Sequence, residues 1–136
     1  MIVLDTDVFS GWMRLDQVVL DWLDRQPSLS VWTTAVTLFE LRSGLEAMPE
    51  SRRRRNLEER LEWKLGEIED RVLSFDVPAA EVAGRLAAQR RRAGIVVEMR
   101  DTQIAGIVLS QKASLATRNV RHFNDLDVPV VDPWSS

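Results

Sequence analysis

Met1-Ile2-Val3-Leu4-Asp5-Thr6-Asp7-Val8-Phe9 opens the chain and decides how the rest of it is read. Ile2, Val3 and Leu4 form an unbroken apolar run, the pattern of a strand buried on both faces in a parallel sheet covered by helices. Asp5 follows at once, at the carboxyl end of that strand, where open α/β sheets place their ligands. Thr6 and Asp7 are candidate caps for a helix through residues 8–13. A lone Asp here has a plain structural explanation: it ends the strand and caps the helix. The other acids along the chain decide between that and chemistry.

Val18, Val19, Trp22 and Leu23 recur at helical spacing before Pro27, and residues 29–33 read as a second strand. Thr33 or Thr34 caps a helix over residues 35–47. In it Val36, Phe39 and Leu41 are expected to face the core with Glu40 beside them, a carboxylate that costs free energy unless paired. Pro49 precedes a long helix from about Glu50 to Asp70 with the stripe Leu57, Leu61, Leu65 and Ile68. Its basic run, Arg52 to Arg55, is followed a turn later by Glu58, Glu59 and Glu62, the pattern of a solvated face with internal ion pairs. RNA contact is the functional alternative there.

Residues 72–75 read as a strand, and Pro78 suits the first turn of a helix carrying Val82, Leu86 and Ala87. Arg90, Arg91 and Arg92 end it, where cations suit the helix dipole, and Gly94 stops it in a left-handed conformation. Ile95-Val96-Val97 is a loop or edge segment. Ile104, Ile107, Val108 and Gln111 mark a buried helix with Asp101 in its first turn. Residues 114–117 form a strand, Arg118 to Leu126 a turn with a short helix, and residues 128–131 a last strand that Pro129 confines to the sheet edge. Alternating strands and helices without linker or repeat give a single α/β domain over residues 1–136, a mainly parallel central sheet flanked by helices. Right-handed crossovers put every strand's carboxyl end on one side.

With 136 residues the chain is long enough to bury a core without staples, and it contains no Cys, which excludes disulfide frameworks and thiolate chemistry. No basic leader or long apolar segment is present, so a cytoplasmic protein with no membrane span is expected. A net charge of −3 argues against nucleic-acid binding by bulk electrostatics alone. All basic residues except Lys64 and Lys112 are Arg, the better bidentate phosphate ligand, although GC-rich coding explains the bias equally well.

Asp5, Glu40 and Asp101 occupy comparable places around the strand ends, and hard oxygen ligands from separate segments suit Mg²⁺ or Mn²⁺. Clustered carboxylates repel one another, a strain that a cation relieves. The only His is His122, and no nucleophile-elbow sequence or Gly-rich phosphate loop accompanies it.

The opening Ile-Val-Leu-Asp5-Thr-Asp-Val, the run Thr33 to Gly44 containing Phe-Glu40-Leu-Arg, the segment Arg100-Asp101-Thr-Gln-Ile-Ala, Ala116-Thr117-Arg-Asn119-Val-Arg-His-Phe123 and the closing Asp132-Pro-Trp134 together resemble the PIN-domain ribonucleases. More narrowly they resemble the VapC toxins, including the FitB-like branch, of bacterial toxin–antitoxin pairs. The resemblance spans nearly the whole chain, in order. It implies a metal-dependent endoribonuclease acting on RNA, held inactive by a cognate VapB-like antitoxin and assembled as a homodimer. Asp5, Glu40 and Asp101 match the family's metal-holding acids. Asn119 stands where a fourth acid of the catalytic set is often found, and His122 where many relatives have Asp; both lower the site's negative charge. Thr6, Asp7 and Thr117 match positions that support the acids or bind water. Arg42, Arg118 and Arg121 adjoin motif residues and are candidates to hold flanking phosphates.

Two other readings fit parts of the pattern. Asp5-Thr6-Asp7-Val8 also matches the opening motif of haloacid-dehalogenase-like phosphatases, in which the first Asp attacks phosphorus. That chemistry needs a downstream Lys and a paired acidic motif. The second is an inactive PIN fold that keeps only its partner-binding surface, with Asn119 and His122 as marks of decay, against which the intact trio of acids argues.

Overall fold

The computed structural model describes residues 1–135. Strands β1 (Ile2–Leu4), β2 (Val31–Thr34), β3 (Val72–Leu73), β4 (Ser114–Ala116) and β5 (Val130–Val131) form one sheet in the order β3-β2-β1-β4-β5. Every pairing is parallel. The expected mainly parallel sheet is therefore wholly parallel among the described residues, and β5, which carries Pro129 at its entrance, lies at an edge.

Side chains alternate across a strand, so Val3 and Leu4 point to opposite faces of β1. Each is fully buried in a different core cluster. On one face Leu4 packs with Val8, Phe9 and Met13 of α1 (Thr6–Met13), Val19 and Trp22 of α2 (Gln17–Asp24), Leu41 and Leu45 of α3 (Ala35–Ala47), and Leu57, Leu61 and Ile68 of α4 (Arg52–Ile68). On the other, Val3 packs with Ala79 and Leu86 of α5 (Val77–Arg92) and Ile104, Ile107 and Val108 of α6 (Met99–Ser110). Fully burying a Leu or Phe side chain contributes about 1.5–3 kcal/mol, so these two clusters dominate the stability of the domain.

Local signals set the boundaries. Ser51 caps α4 by accepting from Arg54 N at 3.1 Å, so the helix starts at Arg52 rather than Glu50. Gly94, at φ +71°, closes α5: its N–H donates to Arg91 O at 3.1 Å and Ile95 N–H to Arg90 O at 2.8 Å, the paired bonds of a left-handed helix stop. Gly106 lets α6 press against α5, since a Cβ there would lie 2.6 Å from the Ala79 carbonyl oxygen.

Phe39, expected to face the core, points outward. Phe39 is 60% exposed, while Val36, Thr37, Leu41 and Leu45 are buried. At 100° per residue those four fall within one arc of α3 and Phe39 falls outside it.

Candidate active site

The chain leaves β1 toward β2 and β3, then returns to β4 on the other side of β1. The carboxyl ends of β1 and β4 thus border the switch in strand order where open parallel sheets bind ligands. Asp5 directly follows β1 and Thr117 directly follows β4.

Asp5 is 4% exposed. Its Oδ1 accepts from Val8 N at 3.1 Å and its Oδ2 accepts the Thr117 hydroxyl. The cap of α1 is therefore Asp5 itself, not Thr6 or Asp7, because the residue with extended backbone just before the helix is the one whose side chain reaches the free N–H groups. Burial pushes the Asp5 carboxyl up to about 7; bonds from Thr117 and Val8 pull it down, and the charges of Asp7 and Asp101 add to the rise.

The other acids have partners of their own. Thr6 Oγ1 donates to Glu40 Oε1 at 2.6 Å, and Arg100 Nη1 lies 3.7 Å from Glu40 Oε2. Arg100 is shared with Glu98. Asp101, in the first turn of α6, has its Oδ2 2.8 Å from His122 Nδ1. The Asn119 side-chain amide donates to Asp7 Oδ2 at 3.0 Å, and its backbone N–H donates to Thr117 Oγ1 at 3.0 Å.

All four candidate residues therefore stand at one edge of the sheet, in three bonded sets. Asp5 and Asp101 act on each other electrostatically, Glu40 is joined to them through Thr6, and Asn119 through Thr117 and Asp7. Among the described residues no three His, Cys, Asp or Glu side chains converge closely enough to enclose an ion. The donor chemistry nonetheless fits a hard cation at Asp5 and Asp101. Asp5 is a buried carboxylate whose negative form is disfavoured by its surroundings, and a divalent ion would offset that charge. Glu40 already faces Arg100.

Sequence reasoning missed Arg90. It reads there as a helix-end cation, yet it is 3% exposed. Its Nε and Nη2 donate to the two carboxylate oxygens of Asp125, each at 2.9 Å, Nη1 to Thr102 Oγ1 at 2.9 Å and Nη2 to the His122 carbonyl at 2.8 Å. Arg90 thereby ties down Thr102, next to Asp101, and His122, which touches Asp101. No local signal marks it, because its partner lies 35 positions downstream. One of the phosphate candidates is otherwise engaged: the Arg118 guanidinium stacks 4.4 Å over Trp134, whereas Arg42 lines an open groove with Ala35, Leu38, Phe39 and Leu65.

The PIN-domain family model matches residues 2–129. The chain belongs to the PIN-domain family. It is 37% identical over 139 residues to the plasmid stability protein StbB of Pseudomonas syringae pv. tomato, covering 100% of both chains. It is 36% identical to the VapC ribonuclease Y4jK of Sinorhizobium fredii, covering 98% of each. The crystal structure of FitAcB from Neisseria gonorrhoeae is similar with a TM-score of 0.90 at 32% identity, covering 100% of both chains. As a PIN domain the chain has no use for the haloacid-dehalogenase reading, and the structure agrees: Lys64 Nζ sits 4.6 Å over the Trp12 ring, Lys112 is exposed in a turn, and the charges acting on Asp5 are those of acids. The closing Asp132-Pro-Trp134 motif of this PIN domain is structural. Trp134 Nε1 donates to Asp16 Oδ2 at 3.2 Å, fastening the end of the chain to the start of α2.

Proposed function

We propose that this PIN domain is an endoribonuclease toxin of the VapC/FitB type, hydrolysing RNA phosphodiesters with Mg²⁺ or Mn²⁺ held by Asp5 and Asp101, with Glu40 as the third acid of the site and the neutral Asn119 beside them. The observation that carries the metal assignment is Asp5, a buried carboxylate facing two other acids. Asp5 and Asp101 would hold the cation, which would supply an activated water and offset charge developing on the phosphoryl oxygens. Thr117 fixes the direction of the Asp5 carboxylate, and Thr6 that of Glu40. Arg100, whose side chain is 41% exposed at this edge and pairs with Glu98 and Glu40, is a further candidate to meet a phosphate by exchanging a carboxylate for it. Retention of all three acids, each held in a defined contact, favours an active enzyme over an inactive partner-binding fold.

The partner is a cognate VapB-like antitoxin. Solved relatives of the same fold include FitAB and VapBC assemblies, three of them bound to DNA. A groove lined by Trp12, Leu23, Leu29 and Ile68 together with Asp24, Glu67 and Arg71, with Leu29 76% exposed, lies near the helices of residues 10–70 and offers such a partner a mixed apolar and charged seat. We read residues 1–136 as one domain, acting as a homodimer. No helix among the described residues is long and apolar enough to cross a membrane. An RNA substrate places its action in the cytoplasm.

Removing divalent ions from antitoxin-free protein with EDTA is expected to abolish RNA cleavage, and Mn²⁺ or Mg²⁺ to restore it. Cleavage that persists in EDTA contradicts the metal assignment. Asn119→Asp sets a second carboxylate beside Asp7, so calorimetry should show tighter Mn²⁺ binding and metal-free melting a lower Tm. Unchanged Mn²⁺ affinity would place Asn119 outside the site.

A further inference from the structure

The outer face of α4 carries a feature that the acidic edge does not use. In a chain of net charge −3, Arg14, Arg52, Arg53 and Arg60 border one groove between the end of α1 and the first half of α4, together with Asn56 and Leu57. No carboxylate lines it. Among the described residues none of these four guanidiniums makes an ion pair, whereas Arg54, on another face of the helix, is neutralised by Glu46 and Glu58 at 2.8 and 2.7 Å. The basic run is thus split by geometry into one structural arginine and an unpaired set. Arg52, Asn56, Arg60 and Trp63 recur at four-, four- and three-residue steps, which keeps them on one stripe of the helix. Trp63 is 71% exposed, and its Nε1 donates to Glu67 Oε1 at 2.7 Å, which orients the ring.

We propose that this groove and the Trp63 ring bind the sugar–phosphate backbone and a base of single-stranded RNA beyond the scissile bond. The inference rests on the ribonuclease reading and names where the rest of the substrate lies. Unpaired guanidiniums in a row match a row of phosphates, each able to take a bidentate contact. An exposed indole beside a basic groove is the stacking platform of single-strand binding, which a duplex with stacked bases cannot use. An acidic peptide fits less well, since the only apolar lining residue, Leu57, is 5% exposed and belongs to the core. Arg14 follows Asp5 by nine positions, so α1 places the groove about 14 Å from the acids, within reach of one continuous strand.

The test uses the full chain carrying Asp101→Asn, so that RNA survives the measurement, and a fluorescein-labelled unstructured RNA oligonucleotide. Adding Arg52→Gln, Arg53→Gln and Arg60→Gln is expected to weaken Kd at least tenfold in physiological salt. The slope of log affinity against log salt should become shallower by about 2, as three single-strand phosphate contacts at about 0.7 each require. The Lys triple variant should keep the slope, and Trp63→Ala should weaken Kd several-fold without changing it. In otherwise wild-type protein the Gln triple variant should raise KM for long RNA and leave cleavage of a trinucleotide unchanged. An unchanged Kd and slope would overturn the proposal. So would a variant that binds RNA normally but no longer copurifies with antitoxin, which assigns the groove to an acidic peptide. Binding is read without cleavage, so a wild-type protein that fails to cut RNA overturns the ribonuclease reading while the groove stands or falls on its own result.

Discussion

Asp5→Asn should melt at a higher temperature than the parent protein at pH 8, show no such gain at pH 4, and lose RNA cleavage. The stability effect follows from the raised Asp5 carboxyl, about 7 in the fold against 3.8 as its ordinary value. Below about pH 4 both folded and unfolded chains carry the proton and the group is neutral to stability. Between about 4 and 7 the folded chain keeps a proton that the unfolded chain has lost, so stability falls as pH rises, and above about 7 the full cost of the buried charge is present. Asn removes that cost and keeps the acceptor that caps α1. The gain at pH 8 is on the order of a few kcal/mol, and it should shrink when saturating Mn²⁺ supplies the missing positive charge to the parent. Cleavage should fall by more than about 100-fold, the most that loss of a residue merely supporting a metal ligand costs. Melting curves at the two pH values, with and without Mn²⁺, check the first part. A destabilised Asp5→Asn at pH 8 would mean that Asp5 is a structural cap and nothing more.

Arg90→Met carries the largest stability cost. The substitution leaves the Asp125 carboxylate, the Thr102 hydroxyl and the His122 carbonyl without their shared donor, the first of them partly buried and charged. Truncating one member of a buried ion pair costs about 3–5 kcal/mol; the partial exposure of Asp125 brings the expectation to about 3 kcal/mol, on the order of 10 °C in Tm. Arg90→Lys should recover only part of this, because an ammonium cannot reproduce the planar fork on Asp125 while reaching Thr102 and His122. Thermal melts of the two variants decide it. A Tm within a degree or two of the parent for Arg90→Met would show that the network contributes nothing net.

The strands and most helix limits were legible because their signals are local. An apolar triplet ending in Asp, a Ser or Thr before an apolar periodicity, and Gly94 after a run of Arg each act within a few residues. Glu40 was singled out for the same reason, as a carboxylate beside the apolar stripe of its helix. Phe39 was misplaced because apolar character was weighed above angular position on α3. Arg90 was out of reach, since its burial depends on Asp125 and on the turn carrying His122, which the chain reaches only after α6 and β4. Asp5 as cap of α1 was weighed only as the alternative to a chemical role, with Thr6 and Asp7 as the other cap candidates, whereas Asp5 performs both tasks: it holds the helix start and presents a buried charge. The division of the Arg52–Arg55 run into one paired and several unpaired side chains likewise depends on Glu46, on a different helix.

The most direct test of the acidic edge as a nuclease centre is cleavage of one defined, end-labelled RNA by antitoxin-free protein in Mn²⁺, with Asp101→Asn assayed beside it at equal folded concentration. Internal cuts by the parent protein, and none by Asp101→Asn, are the expected result. Cutting at the same sites and rate by Asp101→Asn would contradict it.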